Sequence, residues 1–145
     1  MKYAVEVGVR WSDMDAYGHV NHARTVTLLE EARTRLLFDE MSSRGLGKFA
    51  DGIVVSRLSV EYLLPLLYDG GPVVVEIWVT EVKAAWFTLR YALRRRTDAR
   101  VVATAETMMV PYDVVGNRPR RLAAGEREFL ALWTDDGAED GRASA

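Results

Sequence analysis

Five long segments with alternating apolar and polar residues constrain this chain more than any other feature of its sequence. They lie at residues 3–11, 53–63, 73–82, 86–96 and 100–112. A period of two is typical of strands with one buried face. Ten residues of strand span roughly 30 Å, which is well above the usual strand length. A short link at 97–99 is predicted to join the last two segments as a hairpin, so the sequence predicts one antiparallel sheet of long strands.

Between the first and second predicted strands, the apolar residues at 23–40 have the spacing of a helix. The apolar side of this segment repeats every three or four residues and consists of Val26, Leu29, Ala32, Leu36 and Leu37. Asn21 or His22 stands where the N-cap of the helix is expected. A second, shorter helix is predicted at 123–133, and a loop at 117–121. One long helix placed early among strands predicts an α+β domain in which the helix covers one face of the sheet.

The opposite face of the predicted sheet carries residues such as Val74, Glu76 and Trp78. We expect this face to be too apolar to lie wholly in water, so a homodimer or homotetramer is predicted. The domain is expected to span residues 1–134. Residues 135–145 are small, acidic and polar, and they are predicted to form a disordered tail.

Composition excludes several classes of function. The length of 145 residues fits one domain with its own core. A formal net charge of −2 gives no reason to expect binding to nucleic acid or to an anionic membrane. The chain has no Cys, which removes disulfides, thiolate nucleophiles and Cys-ligated zinc. No segment has the roughly 20 apolar residues of a membrane span, and a cytoplasmic location is expected.

The candidate chemistry is concentrated immediately before the long helix. Two carboxylates, two imidazoles and an amide occur within ten residues, at Asp13, Asp15, His19, Asn21 and His22. The start of a helix presents unpaired N–H groups and a partial positive charge. A carboxylate beside such a start is suited to chemistry in which a carbonyl oxygen becomes negative.

Residues 9–23, with the sequence Val-Arg-Trp-Ser-Asp-Met-Asp-Ala-Tyr-Gly-His-Val-Asn-His-Ala, resemble the signature of the 4-hydroxybenzoyl-CoA thioesterase family. Leu-Glu-Glu-Ala-Arg at 29–33 extends the resemblance, and so does Ser-Val-Glu-Tyr-Leu-Leu-Pro-Leu at 59–66. The order of elements is similar over residues 3–133. The resemblance implies a hot-dog fold, in which an antiparallel sheet of five to six strands wraps around one long central helix. It also implies dimers with two sheets joined edge to edge and with sites at the subunit boundary.

The same resemblance implies hydrolysis of an acyl-CoA thioester to the free acid and CoA. Asp15 is the second acid of the Asp-x-Asp-x-x-Gly pattern and matches the catalytic carboxylate of the family. His22 matches a position whose backbone N–H polarises the thioester carbonyl, and its imidazole either assists or lines the pocket. Asp15 can activate water or attack the carbonyl directly, and the sequence does not choose between these. No cofactor is expected, because coenzyme A enters as part of the substrate.

Each of these residues also has a plainer interpretation. Asp13 and Asp15 are common turn formers, and we expect Asp13 to shape the loop. Asp15, His19 and His22 could together bind zinc, although the resemblance requires no metal and none is predicted. His19 fits an anchor for the loop, and Asn21 fits a helix cap.

Substrate contacts are predicted for Tyr17, His19, Asn21 and Lys83. Tyr17 can line the acyl pocket or simply pack. Lys83 matches one of two adjacent basic residues that some relatives carry, whereas Ala84 does not match the other. Trp11 stands near a position where relatives often have Tyr. Two arginine clusters, at 94–100 and 118–121, could bind coenzyme A phosphates or form solvated surfaces.

Two other functions fit the same residues. An acyl-carrier-protein thioesterase would share the start of the helix and would use a basic rim to bind its acidic carrier. A non-catalytic acyl-CoA-binding module would keep the acyl pocket without needing an acid at position 15. Nothing in the sequence identifies the acyl group.

Overall fold

The structure is a computed structural model that describes residues 1–47, 49 and 51–135. Its strands are β1 (Tyr3–Val7), β2 (Ile53–Tyr62), β3 (Val73–Val82), β4 (Phe87–Arg94), β5 (Val101–Asp113) and β6 (Arg118–Pro119). Its helices are α1 (His22–Thr34), α2 (Met41–Ser43) and α3 (Ala124–Leu132). A π-helical segment, Arg35–Glu40, joins α1 to α2, so the predicted long helix is continuous with an irregular second half.

The strands form one antiparallel sheet in the order β1-β3-β4-β5-β2, and β6 pairs with the end of β5. The helix α1 packs across one face of the sheet. Leu29 and Ala32 of α1, and Leu36 of the π-helical segment, share a core with sheet residues such as Ile77 and Leu89. This curled sheet around a long helix confirms the predicted hot-dog fold. In the described residues no helix is long and apolar enough to cross a membrane.

The first strand is shorter than predicted. β1 ends at Val7, which pairs with Val73, the first residue of β3. Residues after Val7 therefore have no partner strand on that side. The chain instead enters a 3-10 turn at Trp11–Asp13, and Trp11 is 73% exposed rather than part of the buried face.

The outer face of the sheet is less apolar at its surface than the sequence suggested. Trp78 is 1% exposed and packs with Ala92 and Val101 in a small separate cluster. The Nζ atom of Lys2 lies 4.2 Å from the centre of the Trp78 ring. Glu76 and Arg94 form an ion pair at 2.6 Å on the same side of the sheet. Charged side chains therefore already cover this face, and it gives little support to the predicted assembly.

The exposed apolar surface lies on β2 instead. This strand is at the edge of the sheet, and no described strand pairs with its outer side. Val55, Leu58 and Tyr62 are 40%, 41% and 49% exposed. A register shift between Val55 and Arg57 also places Val54 on the face opposite Leu58, although strict alternation over residues 53–63 would put both on one face.

The remaining elements agree closely with the prediction. The hairpin at 97–99 is present and is closed by the Ala99 N–H donating to Arg95 O at 3.0 Å. Part of the predicted loop at 117–121 pairs as β6. The helix α3 and the residue after it bury Phe129, Leu130 and Trp133 in the core. The predicted tail lies outside the described residues apart from Asp135, whose N–H donates to Val79 O.

Candidate active site

A tight turn presents Asp15 ahead of the long helix. The Asp15 N–H donates to His19 O at 2.9 Å, and the Gly18 N–H donates to Asp15 O at 3.1 Å. Gly18 has a φ of +77°, a conformation that favours glycine. The Tyr17 N–H donates to Asp15 Oδ1 at 2.9 Å. The carboxylate is therefore held by the backbone of its own turn.

Asp13 braces the beginning of this loop. Its Oδ2 atom accepts from the Arg10 N–H at 2.8 Å, and its Oδ1 accepts from the Arg10 guanidinium at 3.1 Å. Burial opposes ionisation of Asp13. The two hydrogen bonds from Arg10, with the charges of Arg10 and Arg24, outweigh that effect and hold the pKa of the carboxyl below its usual value. These contacts fit a residue that shapes the loop.

Asn21 caps the helix. Its side-chain oxygen accepts from the Ala23 N–H at 2.9 Å, as a good N-cap residue does. His22 is then the first helical residue, and its N–H points out of the first turn without an intrahelical acceptor. No acceptor for this N–H is found among the described residues. The start of α1 can thus offer one backbone donor to a bound carbonyl.

These elements line a cavity of about 390 Å³, within the size range of small-molecule sites. Its polar lining includes Asp15, His19, His22, Thr25 and Tyr62. Its apolar lining comes from the segment after β2 and from the hairpin ends of β4 and β5, namely Leu63, Leu64, Pro65, Leu66, Leu93, Val102 and Ala103, with Val20 from the loop. The cavity therefore joins one carboxylate and one helix start to an apolar pocket.

Tyr62 and Thr25 belong to this site, although neither is among the site residues predicted from the sequence. The Tyr62 hydroxyl donates to His22 O at 2.6 Å, and its ring meets the His22 ring edge-on with centroids 6.3 Å apart. Burial raises the pKa of Tyr62. Thr25 is buried one turn into α1. Tyr62 lies in the segment at 59–66 that carries the family resemblance, and this could have indicated its role. Thr25 follows Asn21 by four residues, and this helical spacing could have placed it on the same side of the helix start.

The predicted substrate residues divide into three groups. His19 lies in the cavity with Asp15 and His22. Asn21 lies on the other side of the loop, where it lines a second cavity with Arg24, and Tyr17 is 85% exposed. Lys83 is not brought to this site. It precedes β4 at the end opposite Leu93, about 20 Å away along the strand, and it pairs with Glu81 at 3.2 Å.

The arginine clusters are largely engaged in ion pairs within the chain. Arg94, Arg95 and Arg96 pair with Glu76, Asp98 and Asp69 respectively. The partly buried Arg120 pairs with the buried Glu126 at 2.8 Å. These contacts favour a structural role for most of the cluster residues over phosphate binding.

Within the described residues, no group of three His, Asp or Glu side chains is placed to hold a metal ion. Asp15, His19 and His22 therefore line one cavity without forming the three-ligand cluster that zinc binding would use. The arrangement is instead suited to acid–base or nucleophilic chemistry at a carbonyl.

A curled hot-dog sheet with this loop and helix start defines the class of the protein. The family model of the thioesterase-like superfamily matches residues 9–131. The chain belongs to this superfamily and is a thioester hydrolase. No curated protein sequence matches it significantly.

Solved structures show the same fold. A predicted thioesterase from Bacillus stearothermophilus is similar with a TM-score of 0.81 and 18% identity, covering 95% of this chain and 100% of that one. The probable thioesterase YbaW from Escherichia coli has a TM-score of 0.71 and 25% identity, with coverages of 93% and 99%. A thioesterase from Thermus thermophilus, complexed with coenzyme A and Zn, has a TM-score of 0.70 and 27% identity, with coverages of 93% and 95%.

Proposed function

We propose that this protein hydrolyses an acyl-CoA thioester to the free acid and CoA, with Asp15 as the catalytic carboxylate. The observation that carries the proposal is that Asp15 and the first residue of α1 line the same apolar cavity. An acyl chain requires such a cavity. The reacting carbonyl requires an acid–base or nucleophilic group together with a donor for its oxygen.

In this mechanism the thioester carbonyl oxygen accepts from the His22 N–H. Negative charge develops on that oxygen when the carbonyl carbon becomes tetrahedral. The backbone donor and the positive end of α1 stabilise the charge without reorganising. The His22 imidazole lines the pocket and is not required to exchange a proton.

Two routes are open to Asp15. As a general base, it takes a proton from water while the water oxygen bonds to the carbonyl carbon. The C–S bond then breaks, and CoA leaves as the thiol after taking up a proton. As a nucleophile, a carboxylate oxygen forms the bond to the carbonyl carbon and displaces the CoA thiolate, and water hydrolyses the resulting anhydride. Both routes give the same products and need no cofactor.

Coenzyme A is proposed as the leaving group because the thioesterase from Thermus thermophilus was determined with coenzyme A. His19 is proposed to contact the substrate within the cavity. Asn21 and Tyr17 belong to the same loop as Asp15 but lie outside the cavity, so they would contact the nucleotide or pantetheine portion. Lys83 lies about 20 Å away along the strand, so it is given no substrate contact in this proposal. An acyl-carrier protein remains the alternative source of the thioester.

We also propose that the chain forms a homodimer through β2, with a homotetramer as the larger alternative. A second copy pairing along the open edge of this strand would satisfy its unpaired backbone groups. It would also cover the exposed side chains of Val55 and Leu58. A cytoplasmic location, without nucleic-acid or membrane partners, remains the expectation from the sequence.

The proposed function is tested by Asp15→Asn, with Asp39→Asn as the matched control. Asp39 is an exposed carboxylate in the π-helical segment, away from the cavity. Release of free thiol is measured with short, long, branched and aryl acyl-CoAs, and with one acyl group carried on an acyl-carrier protein. The Asp15 variant should lose about two to four orders of magnitude in kcat, and the control should keep the wild-type rate. A folded Asp15→Asn protein with activity within about tenfold of wild type would contradict the assignment, since it falls short of that range.

A further inference from the structure

We infer that Tyr62 is a positioning residue that fixes the backbone donor at the start of α1. This inference rests on the proposed function, because it assigns a purpose to the His22 N–H. It goes further by linking the site to the edge strand β2. Tyr62 is the last residue of that strand.

The peptide unit between His22 and Ala23 is held at both ends. Its carbonyl, that of His22, accepts from the Tyr62 hydroxyl at 2.6 Å. Its N–H, that of Ala23, donates to the Asn21 side chain at 2.9 Å. A peptide unit is planar, so two bonds at opposite ends fix its orientation.

The preceding backbone is held as well. The Asn21 N–H donates to Asp13 O at 2.9 Å, and Asp13 is in turn bound to Arg10. The peptide unit that carries the His22 N–H lies between these two restrained units. Its direction is therefore set by its neighbours, which leaves the N–H itself available for a ligand.

Tyr62 is the member of this arrangement that comes from outside the loop and the helix. It reaches across from β2, packs edge-on against the His22 ring, and lines the same cavity. Burial raises the pKa of its hydroxyl, which therefore stays protonated and able to donate at neutral pH. A displacement of β2 would be transmitted through this bond to the His22 peptide.

The kinetic test is Tyr62→Phe, which removes the hydroxyl and keeps the ring. We expect kcat to fall by about tenfold to 100-fold, the range of losses caused by misplacing a reacting group by up to about 1 Å. KM should stay unchanged, and the loss should be equal for short, long and aryl acyl-CoAs. Tyr68→Phe, at an exposed tyrosine that does not line the cavity, is the matched control and should match wild type.

A loss that appears in KM, or that varies with the acyl group, would show that Tyr62 contacts the substrate directly and would overturn the positioning role. Wild-type kcat in Tyr62→Phe would overturn it as well.

Combining Tyr62→Phe with Asn21→Ala adds a second criterion. If both residues hold one peptide unit, the double variant should lose less in kcat than the product of the two single losses. A full multiplicative loss would contradict the shared restraint.

A measurement without substrate separates this inference from the proposed function. Hydrogen exchange of the backbone amides at residues 23–26 should be faster in Tyr62→Phe than in wild type or Tyr68→Phe. Unchanged exchange would refute the restraint even if Asp15 proves catalytic. Faster exchange in a protein whose activity does not depend on Asp15 would support the restraint and reject the proposed function.

Discussion

Replacing His22 by proline tests whether its backbone N–H stabilises the developing oxyanion. Proline removes that N–H, and the structure indicates that the substitution is tolerated. His22 is the first residue of α1, the helical position at which proline is favoured. Asn21 has φ −60° and ψ 141°, the extended conformation that a residue before proline prefers. The helix should therefore form as in wild type.

The expected effect follows from the loss of one donor. Deleting a single oxyanion donor lowers kcat by about 100- to 1,000-fold, or about 2.7 to 4 kcal/mol of transition-state stabilisation. His22→Phe keeps the N–H and an aromatic ring against Tyr62, so it should retain much of the activity. The assay is thiol release from the best acyl-CoA of the panel, together with a melting curve for each variant.

Ala124→Pro provides the control for the proline itself. Ala124 is the first residue of α3, is exposed, and follows an extended cap residue. The same backbone change is thus made at a helix start outside the site, and it should leave kcat unaltered. If Phe is as damaging as Pro while both proteins melt near the wild-type temperature, the imidazole itself is catalytic and the backbone mechanism is refuted.

The open edge of β2, the loop carboxylate of Asp13 and the ion pair between Arg120 and Glu126 each allow a further test. Light scattering should give at least twice the chain mass of 16.3 kDa; Leu58→Lys should lower that mass, and Val115→Lys, on an exposed loop, should not. Because the pKa of Asp13 is lowered, its ionised form stabilises the fold above about pH 4 and this contribution is lost as the pH falls through the folded pKa. The gap in melting temperature between wild type and Asp13→Asn should therefore be present at neutral pH and close in acid; a gap independent of pH would contradict this. Glu126→Ala removes the charged partner of the partly buried Arg120, which keeps its hydrogen bonds to Gly52 O and Tyr112 O. It should lower the free energy of unfolding by about 1.5 to 3 kcal/mol in urea titrations, whereas a loss below about 1 kcal/mol would mean that the pair behaves like a surface pair.

Local patterns allowed much of the fold to be predicted from the sequence. β3 spans the predicted residues 73–82 because it is rich in β-branched residues and is paired on both sides. The cap at Asn21 was predicted because capping depends on neighbouring residues alone. The placement of Asp15, His19 and His22 around one cavity followed from the same short stretch.

The missed features depend on distant residues. The register shift in β2 is defined relative to β5, so no pattern within β2 reveals that Val54 and Leu58 face opposite ways. Trp11 fits the alternation of β1, yet the strand ends where its partner begins. The bond from Tyr62 to His22 O joins residues that only the folded sheet brings together. The charged covering of the outer face could not be predicted either, because the position of Lys2 over the Trp78 ring exists only in the folded sheet.

The strand order has a consequence for how activity is gained during folding. β3, β4 and β5 are consecutive in the chain and form a local meander, whereas β1 and β2 attach to its two sides through partners far away in sequence, such as Tyr3 with Ile77 and Tyr62 with Ala103. Long-range pairings form slowly because closing large loops is entropically unfavourable. The loop with Asp15 follows β1, and Tyr62 is the last residue of β2, so the site depends on both outer strands. We therefore expect refolding protein to regain thioesterase activity only after the central meander has formed.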